Sequence, residues 1–64
     1  MKAGWEKGTR LLVRTTAGGL TSCRIERYER EGFYAVEVLE GPQQGARLIV
    51  HEDDATRDEQ AALQ

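Results

Sequence analysis

The sequence is short of the residues from which small proteins build chemistry and cross-links. Its 64 residues hold one cysteine (Cys23), one histidine (His51), one proline (Pro42) and one tryptophan (Trp5). A lone cysteine excludes an intramolecular disulfide, and a small secreted domain usually carries several as staples. Cys23 and His51 together fall short of the ligand set of a zinc site. No apolar run approaches the ~20 residues of a membrane span. The opening segment MKAGWEKGTR has no apolar signal core. Together these features point to a cytoplasmic protein.

The length allows one domain rather than two. A chain of this size buries about 60% of the surface its unfolded form exposes. Such a core supplies roughly 3–5 kcal/mol, so self-association is a natural supplement. There is no room for a deep cleft, and a site must lie on an open surface or between subunits.

The formal net charge of −2 argues against a generic nucleic-acid binder, which is usually basic. The charge is unevenly spread. Residues 1–30 carry seven basic residues against three acidic, or +4, and residues 31–64 carry two against eight, or −6. This asymmetry marks a basic face and an acidic tail, or else two halves that pair with each other.

Four segments read as strands bounded by turn residues. In Thr9–Thr16, Leu11, Val13 and Thr15 share one parity and Arg10, Leu12 and Arg14 the other. Ala17-Gly18-Gly19 suits a hairpin turn, because glycine takes a positive φ without steric cost. In Leu20–Tyr28, Thr21, Cys23 and Ile25 face inward while Ser22, Arg24 and Glu26 face outward. Strict alternation puts Arg27 inside and Tyr28 outside, so a β-bulge near Arg27 is expected, turning Tyr28 inward. The charged break Glu29-Arg30-Glu31-Gly32 follows, and Glu31-Gly32 closes the next hairpin. In Phe33–Glu40, Tyr34, Val36 and Val38 make the core set. Gly41-Pro42-Gln43-Gln44-Gly45 is a loop. In Ala46–His51, Leu48 and Val50 point inward and Arg47 and Ile49 outward. After the acidic turn Glu52-Asp53-Asp54, Thr56 and Glu59 fit a capping box, and 57–64 is rich in helix formers. Two helical turns are marginal alone, so this tail is helical only if it docks.

Strands with frequent turns and no helix between them make an antiparallel meander. Closing four or five of them into a small barrel removes the exposed edges. The fifth strand would come from the tail or from residues 3–7. The expected architecture is therefore all-β: a lead-in over 1–8, a small antiparallel barrel over 9–55, and a short tail over 56–64.

The order of features resembles the SH3-like small barrels, particularly the Tudor and KOW-like group. The resemblance rests on Gly8-Thr9-Arg10 before Leu11-Leu12-Val13-Arg14, on Gly32-Phe33-Tyr34-Ala35-Val36-Glu37-Val38, and on Gly45-Ala46-Arg47-Leu48-Ile49-Val50 before Glu52-Asp53-Asp54. In that group a final acidic turn often leads through one helical turn into a last short strand. The resemblance implies a fold more than a function. Plasmid-type dihydrofolate reductases share such a barrel, and the run Gly32–Glu37 is similar to one of their strands. Their Val-Gln-Ile-Tyr run is replaced here by Arg47-Leu48-Ile49-Val50, so the likeness does not carry their glutamine and tyrosine.

Catalytic signatures are absent from the pattern. Cys23 shares parity with Ile25 and reads as a small buried apolar residue. Ser22 has no histidine near it in sequence, no carboxylate pair stands in an apolar run, and no phosphate loop is present. His51 with Glu52, Asp53 and Asp54 reads as a solvated acidic turn rather than a cation site. A non-enzyme without cofactor or metal is expected. Two contact surfaces remain. Arg10, Arg14 and Arg24 share outward parity on adjacent strands, the spacing of phosphate-contacting residues, with Trp5, Tyr28 and Phe33 as stacking candidates. Glu26 and Glu37 lie on the same outward faces and oppose them as cross-strand ion pairs. Leu12, Phe33, Leu39 and Ile49 are the large apolar residues left outside, and Trp5 either caps the core or anchors a partner. The expected function is a binding or assembly module acting through protein contact or self-association, with nucleic-acid contact as the alternative.

Overall fold

The structure, a computed structural model, describes residues 4–16 and 18–58. Five strands follow in order: β1 (Arg10–Arg14), β2 (Leu20–Arg30), β3 (Phe33–Val38), β4 (Arg47–His51) and, after a 3-10 turn at Glu52–Asp54, β5 (Ala55–Arg57). They form one antiparallel sheet in the order β4-β3-β2-β1-β5. The all-β expectation is met with five strands. The sheet is open: β4 and β5 are its two edges, and no ladder among the described residues joins them.

The sheet nevertheless curls strongly. In a flat five-stranded sheet the two edges lie about 19 Å apart. Here the chain passes from β4 to β5 through only the three residues of the 3-10 turn, which rise about 2 Å each. The acidic turn therefore acts as a short strap that holds opposite edges of the sheet near each other at one end.

Strand β2 supplies the bend. It runs for 11 residues, beyond the expected stop at Tyr28 and through Glu29 and Arg30. Its register with β3 slips twice, between Ile25 and Arg27 and between Tyr28 and Arg30, leaving Glu26 and Glu29 without direct partners. Each bulge bends the strand and increases its twist. The first is the expected bulge, placed at Glu26. It sets Arg27 outward opposite Ala35 and Tyr28 opposite Tyr34, and the two tyrosine rings meet edge to face at 5.2 Å. Arg27 is exposed and pairs with Glu29. The second bulge carries β2 past the break expected at Glu29.

The β2–β3 hairpin closes on Glu31 and Gly32, at φ of 52° and 84°. Positive φ at both central residues defines the type I′ geometry, whose twist matches that of the flanking strands. The buried core is Leu11, Val13, Cys23, Ile25, Tyr34, Val36 and Val38, with Trp5, Ala46, Leu48, Val50 and Ala55 packed against it. These are the inward sets of parity with three differences. Thr15 and Thr21 are only half-buried. Tyr28 is turned to the face of Tyr34 but stays exposed, because it lies beyond the core near the end of the long strand. Ala35 is buried although its parity is outward, because its short side chain sits between Arg27 and Ile49 on the neighbouring strands.

Thr56 does not cap a helix. It lies in β5 and pairs with Leu12, and Asp58 donates from its amide to the Arg10 carbonyl. The free edge of β1 offers the backbone a ladder, which outcompetes a marginal helix start at this position. Residues 59–64, on which the rest of the expected helix falls, lie outside the described residues.

Candidate functional site

The outward face of β2, β3 and β4 is laid out by register. Arg24, Glu37 and Arg47 form one row across the three strands. Arg24 pairs with Glu37, and Arg47 reaches Glu26 at 3.0 Å. Each basic residue thus meets a carboxylate, as cross-strand parity suggests. Such exposed pairs are each worth well under 1 kcal/mol, so they order the surface more than they stabilise it.

The three candidate phosphate contacts are only partly brought together. Arg10 sits directly opposite Arg24 on the β1–β2 ladder. Arg14 lies at the far end of β1, opposite Leu20 and separated from Arg10 by the outward Leu12. It lines a recess of about 180 Å3 together with Asp53 and Asp54. The basic row is therefore interrupted by an apolar residue and flanked by acids.

The four outward apolar candidates separate into two groups. Leu12 pairs with Ser22, and the Leu39 amide donates to the Ser22 carbonyl, so both flank Ser22 on the outer face of β1–β2. Leu20 belongs to this region too, 60% exposed on the parity of Ser22 and Arg24. Its place at the head of a strand, next to two glycines, hid it from the sequence reading; its parity was the available signal. Phe33 and Ile49 lie together on the outer face of β3–β4, around Ala35, and the Phe33 ring meets His51 edge to face at 4.8 Å. Ile49 is 57% exposed and Phe33 39%. Trp5 does not join either group. It is half-buried against the core, with its ring 5.4 Å from that of Tyr34.

Ile49 also lies on a sheet edge. The β3–β4 ladder is bracketed by the Val38 amide donating to Ala46 and the Glu52 amide donating to Gly32, both at 2.8 Å. Hydrogen bonds in an antiparallel ladder alternate. Leu48 and Val50 therefore face β3, and the backbone N–H and C=O groups of Arg47 and Ile49 and the N–H of His51 point away from the sheet, while the His51 carbonyl, as the N-cap, accepts the first bond of the 3-10 turn. At the edge β4 thus presents outward backbone groups, an exposed isoleucine and an aromatic neighbour along a single line.

The remaining polar groups are occupied locally. His51 Nδ1 accepts the Asp53 amide at 3.1 Å and stands 3.5 Å from the Asp53 carboxylate. No group of three or more His, Cys, Asp or Glu side chains is gathered around a common point among the described residues. Cys23 is fully buried; burial pushes its thiol up from the ordinary value, and the nearby Glu40 carboxylate adds to the rise. That carboxylate accepts the Ser22 amide at 3.0 Å and borders an open recess of about 330 Å3 between the β1–β2 turn and the loop after β3. No helix among the described residues is long and apolar enough to cross a membrane. Compared with protein-family models, curated proteins and solved structures, the chain matches none.

Proposed function

We propose that this chain is a small SH3-like barrel that serves as a non-catalytic binding or assembly module, acting through protein contact, a second copy of itself included. The barrel reading is supported by the curl of the sheet and by the acidic 3-10 turn that leads into a last short strand. The observation that carries the functional reading is the exposed pair Phe33 and Ile49 on the outer face of β3–β4, next to an edge strand. Apolar side chains grouped at a sheet edge suit strand addition, where main-chain hydrogen bonds give affinity and side chains give selectivity. The buried free thiol of Cys23 fits a cytoplasmic setting. Chemical cross-linking of the wild type in extract of its own source cells tests the reading. A defined adduct with a protein, lost in both Phe33→Asp and Ile49→Asp, is the expected result. Adducts that these substitutions leave unchanged refute a contact through this face.

Nucleic-acid contact is the second reading, favoured by one observation: Arg10 and Arg24 face each other directly across a ladder. Two like charges so placed gain from a shared phosphate. Arg10→Glu with Arg24→Glu should then abolish retardation of DNA or RNA. No retardation by the wild type at about 50 mM salt, where electrostatic binding is strong, ends that reading.

A further inference from the structure

We infer that the occupant of the β4 edge is the same edge of a second copy, joined antiparallel about a two-fold axis through Ile49. The inference rests on the protein-contact reading above and specifies its partner and register.

The register follows from the backbone. Only Arg47 and Ile49 present both outward groups, and His51 presents its N–H, so a partner strand must use those residues. Two copies related by a two-fold axis meet with Ile49 opposite Ile49 and with Arg47 opposite His51 of the other copy. The Ile49 pair makes two hydrogen bonds and each Arg47–His51 pair makes one, from the His51 amide to the Arg47 carbonyl, and outward faces stay with outward faces.

The side chains are self-complementary in that register. Leu48, Ile49 and Val50 read as an apolar triplet that is symmetric about its centre. On the outer face the row becomes Ala35, Ile49, Ile49, Ala35 across the two copies, with each Phe33 and its His51 ring beside it. On the inner face Leu48 meets Val50 of the other copy, twice; both are half-buried in the single chain. The charges also agree. The N-terminal end of β4 carries Arg47 and its C-terminal end runs into Glu52, Asp53 and Asp54, so antiparallel pairing brings each basic end beside the acidic turn of the other copy. Arg47 already reaches Glu26, but a guanidinium carries five donors and can serve a second carboxylate.

The two edges of the sheet differ in the way this requires. The β5 edge has three residues, and short edge strands are poor templates. The β4 edge has five, with an isoleucine rather than a charged residue or a proline at its centre. The restraints on this edge, the charged Arg47 and the 3-10 turn that starts at His51, sit at its two ends and leave the centre at Ile49 open to pairing.

Site-directed disulfides test the register. The Cα atoms of a hydrogen-bonded antiparallel pair lie about 5.5 Å apart, inside the ~4.4–6.8 Å that a disulfide spans. Ile49→Cys should therefore form a disulfide-linked dimer under mild oxidation, and the wild type with its buried Cys23 should not. Arg47→Cys alone should stay monomeric, because its two copies would lie on the order of 14 Å apart along the strands. A mixture of Arg47→Cys and His51→Cys chains should cross-link. In light scattering from about 10 µM to about 1 mM, the wild type should approach dimer mass and Ile49→Lys should remain a monomer, while Ile49→Leu behaves as the wild type. Circular dichroism checks that each variant is folded. A wild type that stays monomeric throughout overturns the inference. A dimer that Ile49→Cys does not trap, or that Arg47→Cys traps equally well, overturns it too. In either case the module reading stands or falls separately, on whether Phe33→Asp and Ile49→Asp remove a contact with another protein.

Discussion

The Tyr28 hydroxyl accepts a hydrogen bond from the Gly32 amide at 3.1 Å. The last aromatic of the long strand thus closes the turn that follows it, while the Gly32 carbonyl accepts the Glu52 amide from the far end of β4. One residue ties the hairpin to the acidic turn. Tyr28→Phe keeps the ring contact with Tyr34 and removes the hydroxyl that accepts from Gly32. It should lower stability by about 1 kcal/mol in urea unfolding. An unchanged midpoint would show that water replaces the hydroxyl at no cost.

Gly32 is the most constrained glycine among those described. Its φ is 84°, and a Cβ placed on it would stand 2.9 Å from His51 Nε2 and 3.2 Å from Glu52 Cδ. Gly32→Ala meets both a disfavoured backbone region and a crowded one. A loss of about 2 kcal/mol or more is expected, read as a clear drop in thermal midpoint. Gly41→Ala, at φ 80° with open space around it, should show the backbone cost alone.

Its neighbour Glu31 sits at φ 52°, the one non-glycine with positive φ among the described residues. Asparagine tolerates that region better than glutamate, and Asn-Gly is the favoured pair for this turn. Glu31→Asn should stabilise the fold by roughly 0.5–1 kcal/mol. A destabilised variant in urea titration would mean that the glutamate side chain contributes something other than turn geometry.

Cys23 sets a pH dependence. Its thiol is raised above the ordinary 9.0 in the folded chain, mainly by burial. Above roughly pH 9 the unfolded chain gives up that proton while the folded chain keeps it, so the unfolded state binds fewer protons and stability falls as pH rises. Below roughly pH 8 both states hold the proton and the contribution is flat. Urea midpoints of the wild type should therefore decline more steeply between pH 8 and pH 10 than those of Cys23→Ala. Parallel curves would reject this account. In native protein at neutral pH the thiol should also resist alkylation, and it should react only on unfolding.

The Arg24–Glu37 pair should contribute little. A double-mutant cycle with Arg24→Ala and Glu37→Ala is expected to return less than about 1 kcal/mol of coupling. A larger coupling would show that the row Arg24, Glu37, Arg47 acts as a network rather than as separate surface pairs.

Alternation alone made much of this molecule legible. Leu11, Val13, Cys23, Ile25, Tyr34, Val36 and Val38 could be assigned to the core because a strand exposes its residues with period two, and burial selects the more apolar parity. The stretch around Arg27 showed where that rule had to break. An arginine on the inward parity beside a tyrosine is too costly to bury, so a bulge was required, and the structure places it at Glu26. The capping pattern at Thr56 points to a helix but the residue lies in β5, because a capping pattern is local whereas the open edge of β1 that captures residues 55–57 is set by the whole sheet.

The candidate surface shows the same division. Parity alone pointed to Leu12, Phe33, Leu39 and Ile49 as the large apolar side chains on the outer face; Phe33 and Ile49 are exposed, Leu12 and Leu39 are half-buried, and the exposed Leu20 was not among them. Sequence alone could not determine which of these residues would be neighbours, because strand order and register are relations between distant segments, set by turn geometry and bulges. The tertiary structure brought Phe33 to Ile49, sent Leu12 and Leu39 to the two sides of Ser22, and turned Trp5 toward Tyr34. It also decided which strand became an edge. That outcome depends on where the sheet stops pairing, and it is what gives the outward backbone groups of β4 their significance.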